Sequence, residues 1–103
     1  MTTPVKSEII RMAIKHAIEL LSDITTTMQG KDFDTWKSDS DRSVTMEKLT
    51  IVISYFTITK LFDDYADLKP IMFLSTEKDD KYVFLYLTQI LPINIRFLEN
   101  LLS

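Results

Sequence analysis

The sequence contains no cysteine, one glycine and a single histidine among 103 residues. The lack of cysteine excludes disulfides and thiolate metal sites. One glycine cannot build a glycine-rich phosphate-binding loop, and few glycines and prolines favour long helices over a sheet with many tight turns. No stretch approaches the roughly 18 apolar residues of a membrane span, and the N-terminal residues lack a signal-like apolar run. We therefore expect a cytoplasmic protein that does not insert into a membrane.

The overall composition is that of an ordinary globular protein, with 46% hydrophobic and 26% charged residues. A chain of this length can bury one core, so we predict a single domain over residues 1–103. The net charge is -3, and neither half of the chain is basic. Because phosphate contacts require clustered lysine and arginine, this charge argues against a nucleic-acid-binding protein.

The N-terminal third predicts one long amphipathic helix of about 26 residues. Thr3 followed by Pro4 is typical of a helix start, and Gly30 of a left-handed helix end. The apolar positions recur at helical spacing and form a core-facing stripe: Ile10, Ile14, Ala17, Leu21, Ile24 and Met28, widened by Ile9 and Ala13.

The central stretch, residues 44–68, carries two apolar stripes at helical spacing. Its β-branched residues would also suit a strand, but the pattern is too long for one, and we predict a helix. The stripe that we expect to face the core is Ile51, Tyr55, Ile58, Phe62 and Tyr65. The second stripe is Leu49, Val52, Ile53 and Phe56. Up to Ile58 the helix should therefore be buried on two faces, and beyond it one face should turn outward.

The remaining segments favour short or interrupted helices. Phe33 and Trp36 should pin one helical turn within a polar loop, and Pro70 should end the central helix. Thr76 with Asp79 indicates the start of another helix, which Pro92 would kink or end. The fold prediction is an all-α compact bundle of four to five helices, with one long N-terminal helix and a central two-faced helix.

An acidic cluster is the most unusual charge pattern in the chain. Carboxylates in the last turns of a helix oppose its dipole, so residues placed there at an energetic cost suggest a docking surface. If the chain folds back after Pro70, a second acidic group at the next helix start would join the first. The predicted partner-binding residues are Asp63, Asp64, Asp67, Asp79 and Asp80, with Tyr65 as an aromatic anchor. The alternative interpretation is a merely solvated helix end.

The function expected from these features is that of a non-catalytic protein-binding module. A small acidic inhibitor, antitoxin or immunity-type protein that neutralises a basic partner, such as a nuclease or toxin, suits the size and charge. A second hypothesis is a homo-oligomeric structural protein, such as a homodimer, that pairs through the apolar surface of residues 82–102.

The single histidine supports an enzymatic alternative. Arg11 and His16 have the arginine-to-histidine spacing of the HEPN ribonucleases, and the chain resembles that helical family in this feature. The resemblance implies RNA cleavage by Arg11 and His16 at a dimer interface. His16 also shares a helical face with Glu19 and Asp23, but no second histidine exists to complete a bundle-type metal site. We therefore expect no metal and no cofactor.

Overall fold

A computed structural model describes residues 7–38 and 40–103, and all regular structure within these ranges is helical. This confirms the all-α prediction. The α-helices are α1 (Glu8–Met28), α2 (Phe33–Ser38), α3 (Asp41–Ile58), α4 (Leu61–Asp64), α5 (Lys69–Met72), α6 (Asp80–Leu85) and α7 (Leu91–Leu102). A 3-10 segment, Ala66–Leu68, lies before α5, and a π-helical segment, Tyr86–Ile90, joins α6 to α7.

Helix α1 lies at the centre of the bundle, packed between α3 and α7. The side chain of Ser7 accepts a hydrogen bond from the backbone N–H of Ile10 and caps its start. The predicted Thr3–Pro4 start lies outside the described residues. The predicted core positions from Ile14 to Met28 are buried, and Gly30 follows the helix in the left-handed region with φ 74°. Ile9, however, is exposed, so its assignment to the core face was wrong.

Helix α3 confirms the helical prediction but buries the other stripe. Leu49, Val52 and Phe56 are fully buried, whereas Ile51 and Ile58 are exposed. The expectation that Ile51 and Ile58 face the core was therefore wrong. Apolar residues surround most of this helix, so its own pattern cannot decide which face turns inward, and contacts with α1 decide it. Threonine and serine hydroxyls on its outer side bond to carbonyls four residues earlier, which accommodates them in a helix.

The central stretch is not one helix, because the chain leaves the α conformation at Lys60. Lys60 has φ 62° in the left-handed region, a conformation that costs a non-glycine residue about 1–2 kcal/mol. The break reorients the chain and brings Leu61 and Phe62 into the core. Phe62 packs edge-to-face on Phe56, with ring centroids 5.4 Å apart. The burial of Phe62 was predicted correctly, although a single continuous helix was not.

The other predicted segments agree with the structure only in part. Trp36 is fully buried and anchors α2 to the bundle, as predicted. Pro70 does not end the central helix, which ends at Ile58, but lies in the first turn of the short helix α5, so that prediction was wrong. Asp79, rather than Thr76, caps the next helix, because its side chain accepts hydrogen bonds from the N–H groups of Lys81 and Tyr82.

Two buried side chains with polar groups, Tyr86 and Asn94, form hydrogen bonds within the core. The hydroxyl of Tyr86 donates a 2.5 Å hydrogen bond to Asn94 Oδ1, and Asn94 Nδ2 donates to the carbonyl oxygen of Asp67 at 3.5 Å. Burial, with a smaller contribution from the nearby Tyr82, raises the pKa of Tyr86 to about 12. These bonds connect the π-helical segment and α7 to the 3-10 segment. None of the described helices is long and apolar enough to cross a membrane.

Candidate functional site

An apolar groove of about 730 Å³ lies between the first half of α1 and the end of α3. Its lining consists of Ile9, Met12, Ala13, His16, Tyr55, Ile58 and Thr59. Ile9, Met12 and Ile58 are 78%, 63% and 79% exposed, respectively. Large apolar side chains scattered singly on a surface need no explanation, but several gathered along one groove indicate an interaction site.

The groove follows from the way in which each helix is oriented toward the core. On α1, Ile9, Met12 and His16 are separated by three and four residues and therefore form one outward stripe. On α3, Ile51 and Ile58 are seven residues apart and lie on an outward stripe of their own. The two stripes face solvent on the same side of the packed α1–α3 pair.

Most polar side-chain atoms of the groove are already paired, and His16 Nε2 is the exception among the lining residues. His16 Nδ1 and the hydroxyl of Tyr55 lie 2.6 Å apart in a hydrogen bond that joins α1 to α3. The two rings are tilted, with centroids 5.3 Å apart. The hydroxyl of Thr59 donates to the carbonyl oxygen of Tyr55 at 2.7 Å. The groove thus presents an apolar surface on which few hydrogen-bonding groups remain for a ligand.

Exposed acidic side chains lie on the two helices that form the groove. Glu8 directly precedes Ile9, and Glu19 lies one turn after His16 on α1. Glu47 lies eight residues before Tyr55 on α3, about 12 Å from the groove lining. At the far end, Lys48 and Asp23 bridge the two helices with an N–O distance of 3.9 Å. Lys48 is therefore already paired with a carboxylate of the same chain.

Two further carboxylates, Asp63 and Asp64, lie where α3 ends and the groove begins. Their backbone N–H groups donate to the carbonyl oxygen of Lys60 at 3.1 Å, and both side chains are exposed. With Glu8 and Glu19 they make four exposed carboxylates close in the chain to groove residues. Among the residues that the structure describes, the exposed basic residues of the same stretches are Lys15 and Lys60. In the described part of these stretches, carboxylates therefore outnumber cations.

The predicted acidic surface is divided in the structure. Asp80 accepts hydrogen bonds from Nη2 and Nε of Arg42, at 2.7 and 3.1 Å, in the first turn of α3. Asp63 and Asp64 follow the last turn of the same helix. Because α3 has 18 residues, the two groups lie at opposite ends of a helix about 27 Å long. The expectation that they meet at one end of the bundle was therefore wrong.

The roles of the individual acidic residues also differ from the prediction. Asp79 is a helix cap, and Asp80 belongs to an ion pair, so neither needs a partner molecule. Asp63, Asp64 and Asp67 do not lie in the last turns of the central helix, which ends at Ile58. They lie in segments of a single turn, which are too short to build up a helix dipole, so the helix-dipole argument for a docking surface fails. Within the described ranges, no cation pairs with these three carboxylates.

Tyr65 is partly buried and packs edge-to-face on Phe97, with ring centroids 5.6 Å apart. The phenol ring therefore takes part in packing within the bundle. It leaves little ring surface for the predicted role of aromatic anchor. Exposed apolar side chains of the groove, such as Met12, offer that contact area instead.

Arg11 and His16 do not converge within the chain. Arg11 Nη2 donates a 2.8 Å hydrogen bond to the carbonyl oxygen of Leu102 in α7, whereas His16 contacts α3. Five residues of an α-helix rotate the side chain by about 140° from the starting direction. The two side chains therefore face different neighbours. Nor does any group of three histidine, cysteine, aspartate or glutamate residues in the described parts of the chain form a potential metal site.

No protein-family model, curated protein or solved structure matches this chain. The groove and the charges around it therefore carry the functional argument.

Sequence reasoning missed the groove because four of its residues, Ile9, Ala13, Tyr55 and Ile58, were assigned to the core. The signal that could have found it is the excess of apolar positions on both helices. Ile9 and Met12 on α1, with Ile51 and Ile58 on α3, exceed what one buried face per helix can hold. Where two such helices pack side by side, their excess apolar side chains can form one continuous apolar surface along the line of contact.

Proposed function

We propose that the protein is a non-catalytic protein-binding module that docks a basic protein partner through the α1–α3 groove. The observation that carries this proposal is the exposed apolar groove, with exposed carboxylates on α1 and just after the end of α3. Apolar contact supplies affinity at the centre of an interface, and complementary charge at its rim selects the partner and speeds association. A small inhibitor, antitoxin or immunity-type protein would neutralise its target in this way.

The acidic end of the groove extends the docking surface toward α4. Asp63 and Asp64 are exposed and unpaired within the described residues, so a basic partner meets no internal competitor for them. Contacts at such a rim are worth roughly 0–1 kcal/mol each and weaken with salt. The apolar side chains of the groove, especially Met12 and Ile58, should therefore dominate the affinity.

Site-specific photo-crosslinking in the native cell tests this function. A photo-reactive amino acid in place of Met12 reports on the groove, and the same amino acid in place of Ile93 is a matched control. Ile93 is 66% exposed but lies on α7. We expect position 12, and not position 93, to crosslink one basic protein, which mass spectrometry would identify. Replacing Asp63 and Asp64 with lysine should weaken this capture.

Three results would contradict the proposal. They are the absence of any crosslinked protein at position 12, the same set of proteins at both positions, and capture of an acidic protein. Circular dichroism of each variant ensures that lost capture does not reflect unfolding. A crosslinked second copy of this chain would instead favour the homo-oligomeric hypothesis.

A further inference from the structure

We infer that the element of the partner that occupies the groove is a single amphipathic α-helix with basic flanks. This inference rests on the proposed function and specifies its recognition mode. Three features of the groove carry it: its shortage of free hydrogen-bonding groups, its length and the sign of the charges along its sides.

The hydrogen-bonding capacity of the groove favours a helix over an extended segment. A peptide that lies extended on an apolar surface buries backbone N–H and C=O groups, and each unpaired group costs free energy. The surface of the groove can satisfy few of them, because His16 Nδ1 is paired with Tyr55, Nε2 alone remains on that ring, and the neighbouring backbone groups belong to helices. A helix satisfies its backbone internally and presents side chains alone.

The length of the apolar surface corresponds to a short helix. From Ile9 to His16 the stripe of α1 is about 10 Å long, at 1.5 Å per residue. On α3 the groove lining runs from Tyr55 to Thr59 and is about 6 Å long. A docked helix of about two turns would cover this surface, with apolar residues at spacings of three and four facing the groove.

The charges along the groove determine the composition of the helix. Glu8 and Glu19 are exposed on α1, and Asp63 and Asp64 are exposed just after the end of α3, so lysine and arginine on the flanks of the docked helix would meet carboxylates. A second copy of this chain would bring its own glutamates to the same rim. Like charges across an interface are unfavourable, so the groove fits a cationic helix better than it fits itself.

Fluorescence anisotropy with two synthetic helices tests the inference. The first probe is a labelled 14-residue peptide with leucine on one face and lysine on the other, and the second has glutamate in place of lysine. We expect the wild-type protein to bind the leucine–lysine peptide at least tenfold more tightly than the leucine–glutamate peptide. Raising the salt concentration from 0.05 to 0.5 M should reduce this preference.

A matched pair of variants separates groove binding from general attraction to an acidic protein. Ile58→Asp and Ile93→Asp add the same negative charge at sites of similar exposure. General electrostatic attraction predicts that both variants bind the leucine–lysine peptide at least as well as the wild type. The inference predicts at least a tenfold loss for Ile58→Asp and little change for Ile93→Asp, with unchanged helical circular dichroism in both.

The other outcomes overturn the inference and show what fails with it. Equal, Ile58-dependent binding of both peptides would show helix docking without selection for basic residues. If neither peptide binds but photo-crosslinking from position 12 still captures a basic protein, the proposed function survives and the helical mode does not. If ultracentrifugation shows a dimer that Ile58→Asp dissociates, the occupant is a second copy. Failure of both peptide binding and crosslinking removes both proposals.

Discussion

Replacing Phe56 and Ile58 separately with alanine tests which face of α3 belongs to the core. Both residues are large, apolar and only two positions apart, but Phe56 is fully buried while Ile58 is 79% exposed. Truncating a buried phenylalanine costs about 3–5 kcal/mol, and part of that loss comes from its edge-to-face contact with Phe62 at 5.4 Å. An exposed substitution changes the free energy of unfolding by about 0.5 kcal/mol or less in either direction.

Thermal and urea denaturation followed by circular dichroism provide the measurement. For a domain of this size, a loss of 3 kcal/mol lowers Tm by about 12 °C or more. Total stabilities of such domains are about 5–15 kcal/mol, so Phe56→Leu serves as a milder variant if Phe56→Ala does not fold. If Ile58→Ala is as destabilising as Phe56→Ala, the assignment of faces is wrong. In that case the groove, and both proposals built on it, would fail.

Two further predictions concern the backbone and the buried tyrosine. Lys60→Gly should raise the free energy of unfolding by about 0.5–1 kcal/mol, because glycine adopts the left-handed conformation without strain and this outweighs its greater freedom when unfolded; a lower urea midpoint would refute the reasoning. Tyr86→Phe should cost about 1–3 kcal/mol near neutral pH, because Asn94 Oδ1 loses its donor. The pKa of Tyr86 is raised in the fold to about 12, against about 10 when unfolded. The wild-type advantage over Tyr86→Phe should therefore be full below pH 10 and shrink as the pH approaches 12, and a pH-independent difference in urea midpoints would contradict this.

The fold was predictable where one helix face dominated the pattern. Helix α1 has an uninterrupted core stripe that ends near Gly30, and Trp36 lies with Phe33 in an otherwise polar loop, so the assignments of the α1 stripe and of Trp36 agree with the structure. Helix α3 has two apolar stripes of similar strength, and no local rule chooses between them. The break at Lys60 also escaped prediction, because neither glycine nor proline marks it and the strain is borne by tertiary packing.

The site was less predictable than the fold because it depends on contacts between distant parts of the chain. Asp80 looked like a free carboxylate in the sequence, but the bond to Arg42 joins residues 38 positions apart. The groove likewise needs α1 and α3 to be packed with their surplus apolar positions on the same side. Ile58 could be recognised as a surface residue only after the core face of α3 was known.

The π-helical segment that precedes α7 has a consequence for comparing this chain with others. The N–H of Leu91 donates to the carbonyl of Tyr86, five residues earlier, and the wider turn precedes Pro92, whose ring disfavours regular α-helical bonding. Such a turn holds one residue more than an α-helical turn. A relative that lacks one residue between positions 86 and 90 could therefore form a regular helix and keep both flanking helices in register. An alignment gap at this position would thus mark unchanged packing on both sides of it.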